Sequence, residues 1–338
     1  MDRRKFVKGA AITGAAAAAA FGAAKVAAKG PAAPRVLDHE HGHPVGLSVP
    51  RQTADGLDPG VFLEAFDYGT LDDGSPAPRI SPRPLVRNYL IVASPTEIEV
   101  ARGVRYPAWA FNGGVPGPTL RATEGDTVRV RFLNGDLAHP HTLHFHGIHS
   151  SAMDGVDAQV EPGGEFVYEF PAEPFGCHLY HCHTMPLTKH IAKGLYGAYI
   201  VDPAPPLARE PAREMVMVMN SFDVDFDGGN EFYTVNGIAN YYLDHPIKIA
   251  KDELVRVYLV NLTEFDPVNS LHTHANFFKW WRTGTQLGPP YEITDTVMLC
   301  QGERGILEFR YKYPGKYLFH AHQSEFAELG WSGFFEVS

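Results

Sequence analysis

The chain of 338 residues has only 3 cysteines, so no disulfide framework carries its stability and its cores have to be hydrophobic. It lacks an uninterrupted run of the roughly 20 apolar residues that a spanning helix requires, which excludes a membrane span. Charge is sparse too, at 20% against 44% hydrophobic residues, and this excludes a disordered acidic chain. Long amphipathic helical periods are scarce, whereas Gly 33 and Pro 27 supply many turns, a balance that favours short strands. Positive charge is outnumbered, with Lys+Arg 29 against Asp+Glu 39. The resulting net charge of -10 excludes nucleic acid as a partner, because phosphates demand a basic surface. What the chain has in excess is histidine, 17 residues in all.

The start of the chain is locally basic. Asp2-Arg3-Arg4-Lys5-Phe6-Val7-Lys8 precedes an Ala- and Gly-rich stretch, then Lys25 and Val26-Ala27-Ala28. This resembles a twin-arginine signal for export of prefolded proteins, with cleavage expected near Ala28 and a periplasmic or extracellular destination. Residues 29–51, rich in Pro, Gly and His, read as a flexible segment. His39, His41 and His43 fall in it and are assigned no role.

Beyond this point the chain repeats itself. Val128-Arg129-Val130-Arg131-Phe132-Leu133-Asn134 recurs as Val255-Arg256-Val257-Tyr258-Leu259-Val260-Asn261. Gly176-Cys177-His178-Leu179-Tyr180-His181-Cys182-His183 recurs as Gly315-Lys316-Tyr317-Leu318-Phe319-His320-Ala321-His322. Period-two alternation bounded by turns such as Val115-Pro116-Gly117 predicts strands, and two copies predict two Greek-key β-sandwiches. The class is all-β, with domains at 52–203 and 214–338 and a Pro-rich linker at 204–213. Parallel βαβ units are not expected, since no helix-length segment separates the strands.

Four His-x-His motifs stand at repeat-equivalent places: His144/His146, His181/His183, His272/His274 and His320/His322. On a strand, residues i and i+2 share a face, so each motif presents two imidazoles to one space. Eight imidazoles exceed the needs of a single zinc ion and suit a cluster of metals. His141, Cys182 and His190 make a second constellation, because a thiolate with two imidazoles is the trigonal set of a blue copper centre. Alternation sends Cys182 to the face opposite His181 and His183, so one tripeptide touches both sites.

The run His141-Thr-Leu-His-Phe-His-Gly147, with His181-Cys-His-Thr-Met-Pro-Leu-Thr-Lys-His190-Ile-Ala-Lys-Gly-Leu195-Tyr-Gly197, resembles the copper signatures of multicopper oxidases. The two-domain length resembles the small laccase-like group, which is related to copper nitrite reductases. That resemblance implies cupredoxin domains in a ring-shaped homotrimer, with a trinuclear cluster shared at each interface. It implies four coppers per chain: type 1 on His141, Cys182 and His190; type 2 on His144 and His272; a type 3 pair on His146, His181, His183, His274, His320 and His322. Asn269 and Ala321 replace the type 1 ligands in the second repeat, which is therefore expected to lack that centre. Leu195 stands at the family's axial position, often Met, and its missing thioether is expected to raise the reduction potential. Met185 reads as packing.

The implied activity is one-electron oxidation of phenols, aromatic amines or reduced metal ions, coupled to reduction of dioxygen to water. Asp154 and Glu325, close in sequence to cluster ligands, are candidate proton relays. The rivals are a copper nitrite reductase, which needs one three-histidine copper, and a copper-binding or electron-transfer protein without enzymatic activity. Cys177 and Cys300 are left open between a disulfide and two buried thiols. His139, His149, His178 and His245 have no repeat-supported role.

Overall fold

The structure is a computed structural model that describes residues 58–157 and 159–338. The predicted signal, the segment 29–51 with His39, His41 and His43, and the first residues of the predicted first domain lie outside the described residues.

The first repeat contributes β1 (Val86–Ala101), β2 (Val104–Phe111), β3 (Gly117–Thr123), β4 (Thr127–Asn134), β5 (His144–Phe145), β6 (Glu165–Pro171), β7 (Gly176–His181) and β8 (Tyr196–Asp202). They form two four-stranded sheets, in the orders β2-β1-β4-β6 and β3-β8-β7-β5. The second contributes β9 (Arg213–Phe222), β10 (Phe232–Val235), β11 (Ile247–Ile249), β12 (Val255–Asn261), β13 (Val268–Thr273), β14 (Phe278–Arg282), β15 (Glu292–Thr294), β16 (Thr296–Cys300), β17 (Arg304–Phe309), β18 (Gly315–His320) and β19 (Ser332–Val337). Its sheets have six strands, β10-β9-β12-β17-β14-β15, and five, β11-β19-β18-β13-β16.

The internal repeat is real in register as well as in sequence. β1 pairs in parallel with β4 as β9 does with β12, and β3 pairs in parallel with β8 as β11 does with β19. These parallel neighbours arise by Greek-key crossing between sheets, not by βαβ units. The architecture is that of two cupredoxin-like sandwiches.

Alternation explains β4, where Val128, Val130 and Phe132 point inward and are fully buried. Arg129 and Arg131 point outward to Glu169 and Glu165 of β6, at 2.6 and 2.7 Å. Exposed pairs of this kind contribute at most about 1 kcal/mol each, so the buried face sets the register.

β12 and β7 break the alternation and are buried along their whole length. Their outer faces meet each other's repeat: Leu179 and Cys177 of β7 share a core with Val216, Val218, Tyr258 and Val260. The amide of Cys177 donates to Thr283 O at 2.7 Å across this boundary. Beside the shared core lies a buried ionic network. Arg121 grips Asp202 at 2.7 and 2.9 Å and donates to Glu214 Oε1 at 3.0 Å. Glu214 Oε1 also accepts from Arg256 at 3.1 Å and from the Tyr258 hydroxyl at 2.8 Å. Residues either side of the linker are thereby tied together at the junction of the repeats.

Candidate metal centres

The register of β5 against β7 sets His144 opposite His181. Extended backbone then brings His146 and His183 to the same face. The His144 ring centroid lies 5.1 Å from those of His146 and His181 and 5.2 Å from that of His183. The second repeat reproduces the arrangement. His272 on β13 is the register partner of His320 on β18, with ring centroids 4.9, 5.4 and 5.2 Å from His274, His320 and His322.

Each group has its tautomers fixed by acceptors. His144 Nδ1 donates to Asp154 O at 2.8 Å, and His181 Nδ1 to Cys182 O at 2.8 Å. His272 Nδ1 donates to Asp295 O at 3.0 Å, and His320 Nδ1 to Ala321 O at 2.5 Å. Protons held at Nδ1 leave Nε2 free for a metal, the usual division of an imidazole ligand. The facing Nε2 atoms of His146 and His181 are 3.4 Å apart, and those of His274 and His320 are 3.0 Å apart. Burial, reinforced by Arg304, pushes His146 down to about 2, and burial pushes His181 down to about 4. Both rings stay neutral at ordinary pH, the form that ligates.

Among the described residues the eight imidazoles fall into two groups, one per repeat. Each group offers half a cluster, and the second is the more open, with His274 and His322 exposed.

On the opposite face of the Cys182 tripeptide, three donors converge. Cys182 Sγ lies 3.3 Å from His190 Nδ1 and 3.8 Å from His141 Nδ1, and the two nitrogens are 3.1 Å apart. His190 comes from the short helix Leu187–Ala192, and all three side chains are buried. Thr142 N donates to Sγ at 3.4 Å. Asp136 Oδ2 sits 3.2 Å from His141 Nε2, holding that proton away from the donor cluster. Burial alone would raise the Asp136 carboxyl, but hydrogen bonds from Ala138, His139 and His141 outweigh it and hold it low. Burial raises the Cys182 thiol. A bound soft metal would take this sulfur as thiolate. One sulfur and two nitrogens in mutual contact, with no fourth donor from fully buried Leu195, fit a single trigonal copper.

The second repeat keeps the scaffold without the ligands. Ser270 Oγ accepts from His322 N at 2.7 Å, as Thr142 Oγ1 accepts from His183 N at 3.0 Å. Asn269 therefore occupies the place of His141, bonded to Thr263 Oγ1 at 2.8 Å, and Ala321 that of Cys182.

Of the candidate proton relays, Asp154 is brought to the site, with Oδ1 3.2 Å from His144 Nδ1. Gly155 enables that approach. Its φ is +73° and a Cβ there would lie 1.9 Å from Leu143 O. Glu325 is exposed on the helix Ser324–Glu328, and no hydrogen bond joins it to a cluster histidine among the described residues. Met185 is 71% exposed, so it does not pack as expected. Cys177 and Cys300 do not pair, and only Cys177 is buried. His149, His178 and His245 bond to nearby carbonyls of Phe145, Pro174 and Tyr241.

Four residues at these sites escape sequence reasoning. Asp136 carries His141, Asp295 mirrors Asp154 beneath His272, Arg304 reaches His146, and Trp109 lies against His190. Asp295 could not be found by repeat spacing, because the excursion through β14 and β15 lengthens the second copy between His272 and its support.

Two multicopper oxidase models match the chain, over residues 93–206 and 209–338. A solved multicopper oxidase structure is 50% identical, with a TM-score of 0.78, covering 87% of this chain and 100% of that one. The copper-containing nitrite reductase of Neisseria gonorrhoeae is 30% identical over 239 residues, 65% of this chain and 60% of the relative. The chain thus matches about three fifths of that curated relative's length. A copper nitrite reductase structure from Nitrosomonas europaea is 26% identical with a TM-score of 0.69, covering 75% of this chain and 94% of that one. Fold and sites together define a cupredoxin-type copper protein. The chain belongs to the multicopper oxidase family, whose members are copper-dependent oxidoreductases.

Proposed function

We propose that this chain is a laccase-like oxidase that takes single electrons from phenols, aromatic amines or metal ions and uses dioxygen as acceptor. The observation that carries the reading is the pair of four-histidine groups, one joined through the backbone of Cys182 to the two-imidazole, one-thiol site. Bound copper would supply the one-electron steps that sum to reduction of dioxygen to water. The chain's own residues hold and insulate those steps. His141, Cys182 and His190 would hold type 1 copper in a buried pocket, and the peptide links from Cys182 to His181 and His183 give a short path to the cluster. His144 and His272 would hold type 2 copper. His146, His181, His183, His274, His320 and His322 would hold the type 3 pair, giving four coppers per chain. Asp154, partly exposed beside His144, holds a proton-accepting oxygen between solvent and that group.

Two half-clusters on one chain fit a cyclic homotrimer in which the first repeat of one subunit meets the second repeat of the next. Similarity to nitrite reductases favours a second reading, reduction of nitrite at a three-histidine copper. Eight histidines exceed what that chemistry needs. Oxygen uptake with a phenolic donor, run beside nitrite with an electron donor, decides between them; copper saturating at two per chain, with nitrite consumption alone, would sink the oxidase reading. The signal-like start supports export by the twin-arginine route. Cell fractionation tests it, and protein retained in the cytoplasm would overturn it.

A further inference from the structure

The geometry assigns Asp136 to the Cys182 centre as its positioning residue and fixed countercharge, one that turns His141 Nδ1 toward copper and favours copper(II) over copper(I). This rests on the copper reading of that centre and is independent of which substrate the chain oxidises.

Asp136 lies in the loop after β4, its side chain 1% exposed. Its amide donates to Asn134 Oδ1 at 3.0 Å and its Oδ1 accepts from Ala138 N at 2.7 Å, which fixes the carboxylate in place. Oδ2 lies 3.2 Å from His141 Nε2 and 3.0 Å from His139 Nδ1. A carboxylate only accepts, so each ring nitrogen donates to it. With its proton committed to Nε2, His141 offers the Nδ1 lone pair to the space it shares with His190 Nδ1 and Cys182 Sγ.

The second repeat carries the same bond between neutral groups. Thr263 takes the place of Asp136, its amide donating to Asn261 Oδ1 at 3.1 Å. Asn269, in the place of His141, donates from Nδ2 to Thr263 Oγ1 at 2.8 Å. The third ligand is replaced as well. Trp331 N donates to Phe326 O at 2.9 Å as Leu195 N donates to His190 O at 3.3 Å, so Phe326 stands where His190 would. Both repeats therefore keep the hydrogen bond, but a carboxylate makes it only in the repeat that keeps the thiol and the imidazoles. Holding a side chain in place needs a neutral acceptor and no more; the charge of Asp136 serves another purpose.

That purpose is charge balance. Copper(II), one thiolate, two neutral imidazoles and the Asp136 carboxylate sum to zero, whereas copper(I) in the same place leaves one buried negative charge. Burying net charge is costly, so Asp136 favours the oxidised state. Leu195 acts in the opposite direction, since it denies the metal a thioether. The potential of the centre is set between these two residues.

The test compares Asp136→Asn with the wild type, both as copper-loaded full chains. The carboxamide oxygen still accepts from His141, so position is kept and charge is lost. Redox titration of the blue band is expected to show the copper(I) to copper(II) ratio raised about ten-fold at a given potential, a rise of about 59 mV for one electron. Competition for copper(II), read by the same band, closes the cycle and yields the copper(I) affinity. Copper(II) should bind about ten-fold more weakly and copper(I) unchanged, whereas a merely structural role weakens both alike. His139 is 40% exposed on its side chain, so His139→Leu is readily accommodated. It removes the competing donor on Oδ2 and should move the ratio about two- to three-fold the other way. A potential that neither substitution moves, or copper(II) and copper(I) affinities that fall together, overturns the countercharge. A wild-type chain that binds copper without a blue band overturns the reading of the centre as well. A shifted potential without oxygen uptake on any phenol supports Asp136 in this role and removes the oxidase.

Discussion

Arg304 of the second repeat places Nη1 3.2 Å from Nδ1 of His146 in the first. The same guanidinium donates to Cys177 O and Gly302 O, at 3.3 and 3.2 Å, so it is anchored on both sides of the junction. One histidine of the first group therefore touches the other repeat of its own chain.

Arg304 can only donate, so His146 Nδ1 accepts from it and the ring proton is held at Nε2; Arg304→Gln, whose carboxamide oxygen can accept from Nδ1, is expected to free Nε2 and tighten copper binding at the His146 group. A competitive copper titration measures it. The blue absorption of the Cys182 site should persist; its loss would mean general unfolding.

Cys182→Ser removes the thiolate that gives type 1 copper its colour and leaves the eight histidines in place. Electron paramagnetic resonance should retain a type 2 signal while oxidase turnover collapses. Near-normal phenol oxidation by this variant would remove Cys182 from the electron path.

Leu195→Met is a volume-conserving change in a filled core, so stability should move by less than about 1.5 kcal/mol. A thioether at this position is expected to lower the reduction potential, read by redox titration of the blue band. An unchanged potential would show that residue 195 is not axial.

Much of this was legible because strand chemistry is periodic. The alternation that turns Cys182 away from His181 and His183 follows from a period of two, and the repeat supplied the second histidine group with its missing Cys. Arg304, Trp109 and Asp136 were not legible, since each reaches its histidine through tertiary packing that no local period encodes. The distance between the two histidine groups within one chain is not encoded by any local period either. Equivalent motifs on two sandwiches share a local geometry, but their distance depends on how the sandwiches dock.

Stability should fall in acid through Glu214. Burial alone would raise its carboxyl, but Arg121, Arg79 and the Tyr258 hydroxyl outweigh that and hold it near about 2, against an ordinary value of 4.5. A depressed folded-state value gives stability that is complete above the unfolded value and is lost as pH falls from about 4.5 towards 2. The loss from this one group is about 3 kcal/mol. Urea unfolding at pH 7 and pH 3 reads about 2 kcal/mol of it, the rest being lost below pH 3, and Glu214→Gln should flatten that part of the pH dependence.

Gly155→Ala puts a methyl group where the backbone of Leu143 already lies, at a positive φ that side chains avoid. The expected cost is about 1–3 kcal/mol, with Asp154 displaced from His144. Cluster copper should fall while the Cys182 centre stays blue, and unchanged copper content would separate Asp154 from the site's integrity.

Thr142 holds two consecutive residues: its amide donates to Cys182 Sγ and its hydroxyl oxygen accepts from the His183 amide. Neither metal pocket can open without disturbing this clasp. Fading of the colour on heating should thus coincide with loss of oxygen chemistry, and a simple optical melt becomes a thermometer for the spectroscopically silent copper pair.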